Sequence, residues 1–275
     1  MTKVAIIDLY NNEKNEGIRC IKEIVSDTIS FNGSSKIPYD HYETRYKGDV
    51  PELDYDIYIS SGGPGSPFAD KGRKWEKDYF NLLDKIWSHN QKPFIKKKYI
   101  FFICHSFQMM SRFFKFADVT KRNYESFGIF PFKKTKEGKK DPILKELTNP
   151  LYAADFRKYQ VINPDKKALT ELGGEILSLE EESTQEGKEP GLMAVRLSKE
   201  IAGTQFHPEA DPKSMKYHFR QPERKKHIVN KYGETKYFEM LDMLEDPDKI
   251  KLTRKTVLPT FLKMAIDDLK SKDPK

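Results

Sequence analysis

Cys104 has the residue type and setting of a nucleophile. It ends the apolar run Tyr99-Ile100-Phe101-Phe102-Ile103 and precedes Gln108-Met109-Met110 and Phe113-Phe114, which read as a helix. A cysteine on such a strand-to-helix turn is thrust outward. The free N–H groups at the helix start lower its pKa and can face a developing anion. A thiol nucleophile needs a base, and the base needs an orienter. Of the six histidines, His207 lies in Gly203-Thr204-Gln205-Phe206-His207-Pro208-Glu209. In an extended segment positions 207 and 209 point to the same side, so Glu209 can hold the ring in the tautomer that takes the thiol proton. The third feature is Ser61-Gly62-Gly63-Pro64. Glycines without a Cβ let backbone N–H groups approach a substrate closely. A tetrahedral oxyanion needs two donors, which we assign to the N–H groups of Gly63 and His105. Taken singly, each feature has a plainer reading: an inert buried cysteine, a surface turn, a glycine loop. Together they describe acyl transfer to sulfur.

The elements that must position these residues follow from hydrophobic periodicity. Val4-Ala5-Ile6-Ile7, Ile57-Tyr58-Ile59 and Tyr99–Ile103 are short apolar runs of buried-strand type. Between them stand helical patterns around Ile18–Val25 and at Trp75, Tyr79, Leu82, Leu83, Ile86 and Trp87. Strands buried on both faces and alternating with helices predict an α/β fold with an open, mostly parallel sheet flanked by helices. Ligands of such sheets sit beyond the carboxyl ends of the strands, where both the glycine turn and Cys104 fall. Val119 to Phe206 is strand-rich, at Phe127–Phe132, Tyr159–Ile162, Glu175–Leu179 and Leu192–Leu197. After Glu209 the chain turns polar and then helical, near Tyr237–Leu244 and Leu258–Leu269, with Pro259 expected in the first turn of the last helix. The expected division is one domain over 1–210 and a helical extension over 211–275.

Glycine turn, elbow cysteine and distal His-x-Glu, in this order, resemble the class I (triad) glutamine amidotransferase family, nearest the glutaminase half of GMP synthases. The family pattern S-G-G-P, then G-x-C-x-G-x-Q, then Q-F-H-P-E stands as Ser61–Pro64, Phe102–Gln108 and Gln205–Glu209. The resemblance covers about residues 1–210 and implies a flavodoxin-like sheet. It makes Cys104 the nucleophile, His207 the base and Glu209 its orienter, with Gly62, Gln108 and Asp155 holding substrate. The implied reaction is hydrolysis of the glutamine side-chain amide through a cysteinyl thioester, releasing ammonia. Both elbow glycines are replaced, by Phe102 and Ser106, and Ala153-Ala154-Asp155-Phe156-Arg157 stands where the family has S-H-x-D.

Three other readings compete. The altered elbow and loop suit another γ-glutamyl substrate in place of L-glutamine. The adjacent Cys104-His105 pair is similar to the DJ-1/PfpI branch of the fold. A Phe102 ring filling the site would leave a catalytically silent binding module. The sequence has no G-x-x-x-x-G-K-[ST] phosphate loop, so delivered ammonia would go to a separate synthase subunit. The C-terminal helices would cover the sheet, bind that partner or pair two copies as a homodimer.

Composition narrows the field further. The net charge is +7, but residues 211–275 carry 16 Lys+Arg against 11 Asp+Glu, leaving the other 210 residues nearly balanced. Acids alternate with the bases and no aromatic-basic module is present, so nucleic acid is an unlikely partner. No apolar run nears the roughly 18 residues that span a bilayer, and Met1–Tyr10 reads as a first strand, not a signal peptide. Two cysteines make no disulfide framework, which points to a reducing cytoplasm. No metal-ligand spacing is visible, and no cofactor is expected.

Overall fold

The computed structural model describes residues 2–30, 38–182 and 190–271. Four of the apolar strands form its centre: β1 (Val4–Ile7), β3 (Ile57–Ser60), β4 (Tyr99–Ile103) and β9 (Ile201–Thr204), every residue of them buried. They pair in parallel in the order β1, β3, β4, β9, with β2 (Tyr39–Tyr42) added in parallel outside β1. Successive side chains point to opposite faces, so each strand feeds two cores. Val4, Ile6, Ile57, Ile59, Phe101 and Ile103 meet Ile21 and Val25 of α1 (Gly17–Ser30) on one face. Ala5, Ile7, Tyr58, Ile100 and Phe102 meet α3 (Lys74–Gln91) and α4 (His105–Phe114) on the other. The short α2 (Thr44–Lys47) leads from β2 toward β3.

Beyond β9 the sheet continues antiparallel through β8 (Leu192–Arg196), β7 (Glu175–Glu180), β5 (Asp118–Lys134) and β6 (Leu151–Ile162). Among the described residues this makes one nine-stranded sheet, parallel in its first half and antiparallel in its second. The edge strand β6 curls back to the centre, where Ala154 and His207 form an isolated antiparallel bridge. A hydrogen bond of 2.8 Å from His207 N to Ala154 O closes it. α5 (Lys166–Leu172) sits between β6 and β7, capped by Asp165, whose carboxylate accepts from Lys167 N and Ala168 N, and ended by Gly173 at φ 72°.

The C-terminal helices are α6 (Pro212–Arg220), α7 (Pro222–Tyr232), α8 (Glu234–Asp242) and α9 (Ile250–Ser271). α6 starts with Asp211 as cap and Pro212 in the first turn. Met215, Phe219, Ile228, Tyr237 and Met240 bury against Phe127, Ile129 and Ala154 of the β5–β6 hairpin. α9 lies on the α1 face, with Val257, Phe261, Leu262 and Ile266 in the same cluster as β1, β3 and β4. Pro259 is inside this helix, not in its first turn as the apolar stripe suggested. The helix begins at Ile250 because Ile250, Thr253 and Thr256 are themselves buried, and tertiary packing outweighs the local break.

Candidate active site

Cys104 occupies the turn between β4 and α4 with φ 50° and ψ −98°. A non-glycine residue in this region is strained, and the strain is held by the strands and helix on either side. Its N–H bonds Thr204 O at 2.8 Å, tying the turn to β9. Ser106, one of the two elbow substitutions, adds a clamp. Its hydroxyl accepts from Ile103 N at 2.8 Å and donates to Ser60 O at 2.7 Å, joining the ends of β3 and β4. The other substitution, Phe102, is fully buried among Phe107, Met110 and Leu192, and it does not line the cavity above Cys104. Room for it comes from Gly203, its register partner on β9, where an added Cβ would lie 2.9 Å from Phe102 Cβ. The alternative of a silent module closed by Phe102 thus loses its motivation, because a glycine on the next strand makes room for the ring.

The glycine turn follows β3. Ser61 N bonds Ile7 O at 2.9 Å and Ser61 Oγ accepts from Leu9 N at 2.9 Å, which docks the turn on the end of β1. A Cβ on Gly63 would come within 2.4 Å of Leu9 O, so only glycine fits that approach. A Cβ on Gly62 would lie 2.9 Å from His207 Cε1 and 3.1 Å from the Tyr10 hydroxyl, so the turn packs directly against the ring. Two half-buried arginines strap the loop. Arg45 Nη1 donates to Pro64 O at 2.6 Å, and Arg112 Nη1 donates to Pro67 O.

Cys104, His105, Gly63, Gln108, His207 and Glu209 line one cavity of about 290 Å³. His207 Nδ1 stands 2.8 Å from Glu209 Oε1, and the ring packs on Phe156 at a centroid distance of 5.4 Å. The Cys104 thiol donates to Phe156 O at 3.8 Å and lines the same cavity as the imidazole. Burial works to discharge this ring, but the hydrogen-bonded Glu209 carboxylate and the nearby Cys104 sulfur outweigh it. The His207 pKa accordingly stands well above the usual imidazole value. The His105 ring is different. Burial, then the neighbouring Arg45 and Arg112, push its pKa down to about 3, so it stays neutral, and only its main-chain N–H is at the head of α4. The first N–H groups of a helix have no acceptor four residues back, which leaves them free for a ligand.

Gln108 donates to Tyr159 O at 3.2 Å and to Gln205 Oε1 at 3.2 Å. Gln205 in turn directs Nε2 to Cys104 Sγ at 3.7 Å. Asp155 does not line the cavity. It is buried on β6 and ion-paired with Arg157 at 3.0 Å. Residues 156–159 form the wall instead.

Sequence reasoning missed several groups that surround the cavity. Gln205 belongs to the Q-F-H-P-E string but was given no role. Tyr10, three residues past β1, lines the cavity as well. Burial first, then Glu209 and Cys104, raise its pKa well above the ordinary phenol value, keeping it a neutral donor. Arg45 and Arg112 carry no local signal, since only the folded loop brings carbonyls to them. No group of three or more His, Cys, Asp or Glu that could hold a metal occurs among the described residues. Nor, among them, is any helix long and apolar enough to cross a membrane.

A family model described as glutamine amidotransferase class-I matches residues 6–223. No curated protein sequence matches the chain. Among solved structures, a glutamine amidotransferase from Thermotoga maritima is 17% identical, with a TM-score of 0.67 over 96% of this chain and 98% of that one. A glutamine amidotransferase from Methylobacillus flagellatus is 12% identical, with a TM-score of 0.67 over 97% and 94% of the two chains. The glutaminase domain of a Trypanosoma brucei CTPS, solved with acivicin bound, is 11% identical with a TM-score of 0.59, covering 100% and 96%. At these identities the likeness is one of fold.

Proposed function

The chain belongs to the class I glutamine amidotransferase family, and from that premise we propose that it is a glutaminase whose nucleophile, base and orienter are Cys104, His207 and Glu209. The observation that carries this reading is a strained elbow cysteine that lines one cavity with an imidazole whose Nδ1 is 2.8 Å from a buried carboxylate. Cys104 sulfur attacks the side-chain amide carbon of glutamine, and His207 holds the thiol proton. The oxyanion that forms is met by the N–H groups of Gly63 and His105. The tetrahedral species collapses, the C–N bond breaks, and His207 gives its proton to the departing nitrogen. Ammonia leaves and a γ-glutamyl thioester remains. Water then attacks the thioester carbon while His207 takes a water proton. The C–S bond breaks, glutamate departs, and the proton returns to sulfur. A separate synthase subunit would take up the ammonia.

Incubation with a glutamine-mimicking diazo-ketone tests the reading. Stoichiometric labelling of Cys104 together with ammonia release from free glutamine is the expected result. A folded protein with unlabelled Cys104 and no ammonia release refutes it.

One observation favours a second reading. The cavity is lined also by Ala210, Ser214, Met215, His218 and Arg224, more than the residues that would hold glutamine itself. Ammonia needs no such space, whereas the amine of a γ-glutamyl amide would fill it. Supplying glutamine and γ-glutamyl amides in parallel, and comparing kcat/KM, separates the two.

A further inference from the structure

The segment that follows His207 is gripped from two helices distant in sequence. Arg254, on the second turn of α9, donates through Nη1 to the main-chain oxygen of Glu209. Its Nη2 pairs with Glu23 Oε2 of α1 at 2.9 Å. Glu23 Oε1 accepts from Arg19 Nη1 at 2.6 Å, and Arg19 Nη2 meets Asp211 Oδ2 at 2.8 Å. Glu23 thus joins two arginines that hold the chain at Glu209 and at Asp211. Between them lies only Ala210.

This grip matters because of what Glu209 lacks. Its Oε1 faces His207 Nδ1, while Oε2 is buried without a hydrogen-bond partner among the described residues. Among the described residues no second hydrogen bond steers the carboxylate, so its aim depends on where its main chain is held. Arg254 holds it with a planar fork whose two nitrogens reach two acceptors in fixed directions.

We propose that Arg254 is a positioning residue for the reaction: by bridging Glu209 O to Glu23 it aims the Glu209 carboxylate at His207 Nδ1, and it makes the C-terminal helix α9 part of the catalytic support. The role assigned to Glu209 rests on the glutaminase reading, whereas the positioning itself does not. The titratable groups around His207 are Glu209, the Cys104 sulfur of the elbow and the Tyr10 hydroxyl beyond β1. Phe156 of β6 covers a ring face, and Cys20 and Arg157 stand one step further out, coupled to Glu209 and Cys104.

The test compares the full chain with Arg254→Ala, Arg254→Lys and Glu23→Gln. For ammonia release, kcat is expected to fall about 10- to 100-fold in Arg254→Ala with KM unchanged, the scale of a misplacement near 1 Å. The loss should be smaller in the other two variants. Glu23→Gln and Arg254→Ala should be non-additive when combined, since they cut the same bridge. A second readout needs no turnover: the pH titration of the His207 ring nitrogens by 15N NMR. Its midpoint should fall in Arg254→Ala, because a carboxylate aimed less well holds the imidazolium proton less well.

If kcat and the His207 midpoint both match wild type while only the melting temperature falls, Arg254 merely anchors α9 and the proposal is overturned. If wild type releases no ammonia yet the midpoint shifts, the positioning stands and the glutaminase reading fails. Should Arg254→Ala not fold, Arg254→Lys and Glu23→Gln carry the same two measurements, and unchanged midpoints in both overturn the proposal.

Discussion

The two halves of the sheet treat their side chains in opposite ways. In the parallel half, β1, β3, β4 and β9 are buried throughout and carry cavity-lining or proposed site groups just past their carboxyl ends: Tyr10, Gly62 and Gly63, Cys104, and His207 with Glu209. In the antiparallel half, buried and exposed positions mix along β5 and β6, and charges are taken inside. Arg122, Glu180, Arg157 and Asp155 form a continuous buried run of ion pairs there. The β5–β6 register also shifts between Lys121 and Ser126, next to the wall residues Glu125 and Phe127. Such irregularities re-aim side chains beside active sites. The difference suggests a division of labour. Close-packed parallel strands fix atoms that must not move, and the twisted, polar antiparallel arm presents the surface a particular substrate meets.

Substitutions on the parallel side should therefore move kcat. The largest effect is expected for Cys104→Ser, a loss of about 10⁶ in ammonia release, on the scale of removing a nucleophile from a comparable triad. A residual rate within about tenfold of wild type would show that another group attacks. Next comes Glu209→Gln, with a loss of about 10²–10⁴. The sign of its pH effect is fixed by His207. The raised pKa comes partly from the Glu209 charge, so neutralising that charge lets the imidazolium lose its proton at lower pH. The alkaline limb of kcat/KM, which reports the steps through ammonia release, must move toward acid, and an unmoved limb would separate Glu209 from the histidine. Stability follows the same linkage. The pair contributes fully below the unfolded imidazole pKa of about 6.5, and the contribution is lost as pH rises through the higher folded value. The melting-temperature margin of wild type over Glu209→Gln should shrink on the alkaline side. Gly63→Ala should cost about 10²–10³, since the Cβ it adds meets Leu9 O and displaces one proposed oxyanion donor. Unchanged kcat in a folded Gly63→Ala would move that donor elsewhere.

Legibility in the sequence divides along the same line. The parallel half was readable because strands buried on both faces are uninterrupted apolar runs, and Val4–Ile7, Ile57–Ile59 and Tyr99–Ile103 say so directly. The cysteine elbow and the His-x-Glu pair follow from local spacing at strand ends. The edge strand Tyr39–Tyr42 escaped notice because one flank is open and its residues are Tyr-Asp-His-Tyr. Asp118–Lys134 was seen only over its apolar middle, as its charged ends are paired across the sheet and not by neighbours in sequence. Asp155 reads in the sequence as a substrate-holding group, and the structure pairs it with Arg157, two residues on along the same strand. Phe102 looked obstructive because the glycine that makes room for it is a hundred positions away.

The weakest prediction probes the antiparallel side at its rim. Arg224 is exposed on α7, lines the far end of the cavity, and lies over the Phe127 ring with its guanidinium carbon 4.5 Å from the centroid. Its charge is in water, so an interaction with an anionic tail on the leaving amine is worth only about 0.5–1 kcal/mol and weakens with salt. Arg224→Ala should then raise KM about 2- to 5-fold for a γ-glutamyl amide carrying such a tail. For free glutamine, whose leaving nitrogen never reaches Arg224, kcat and KM should both stay at wild-type values. Steady-state ammonia and amine release at two salt concentrations measures this. A drop in kcat for free glutamine as deep as that of Glu209→Gln would show that the arm also holds the reacting atoms, and the contrast between the two halves would no longer separate selection from chemistry.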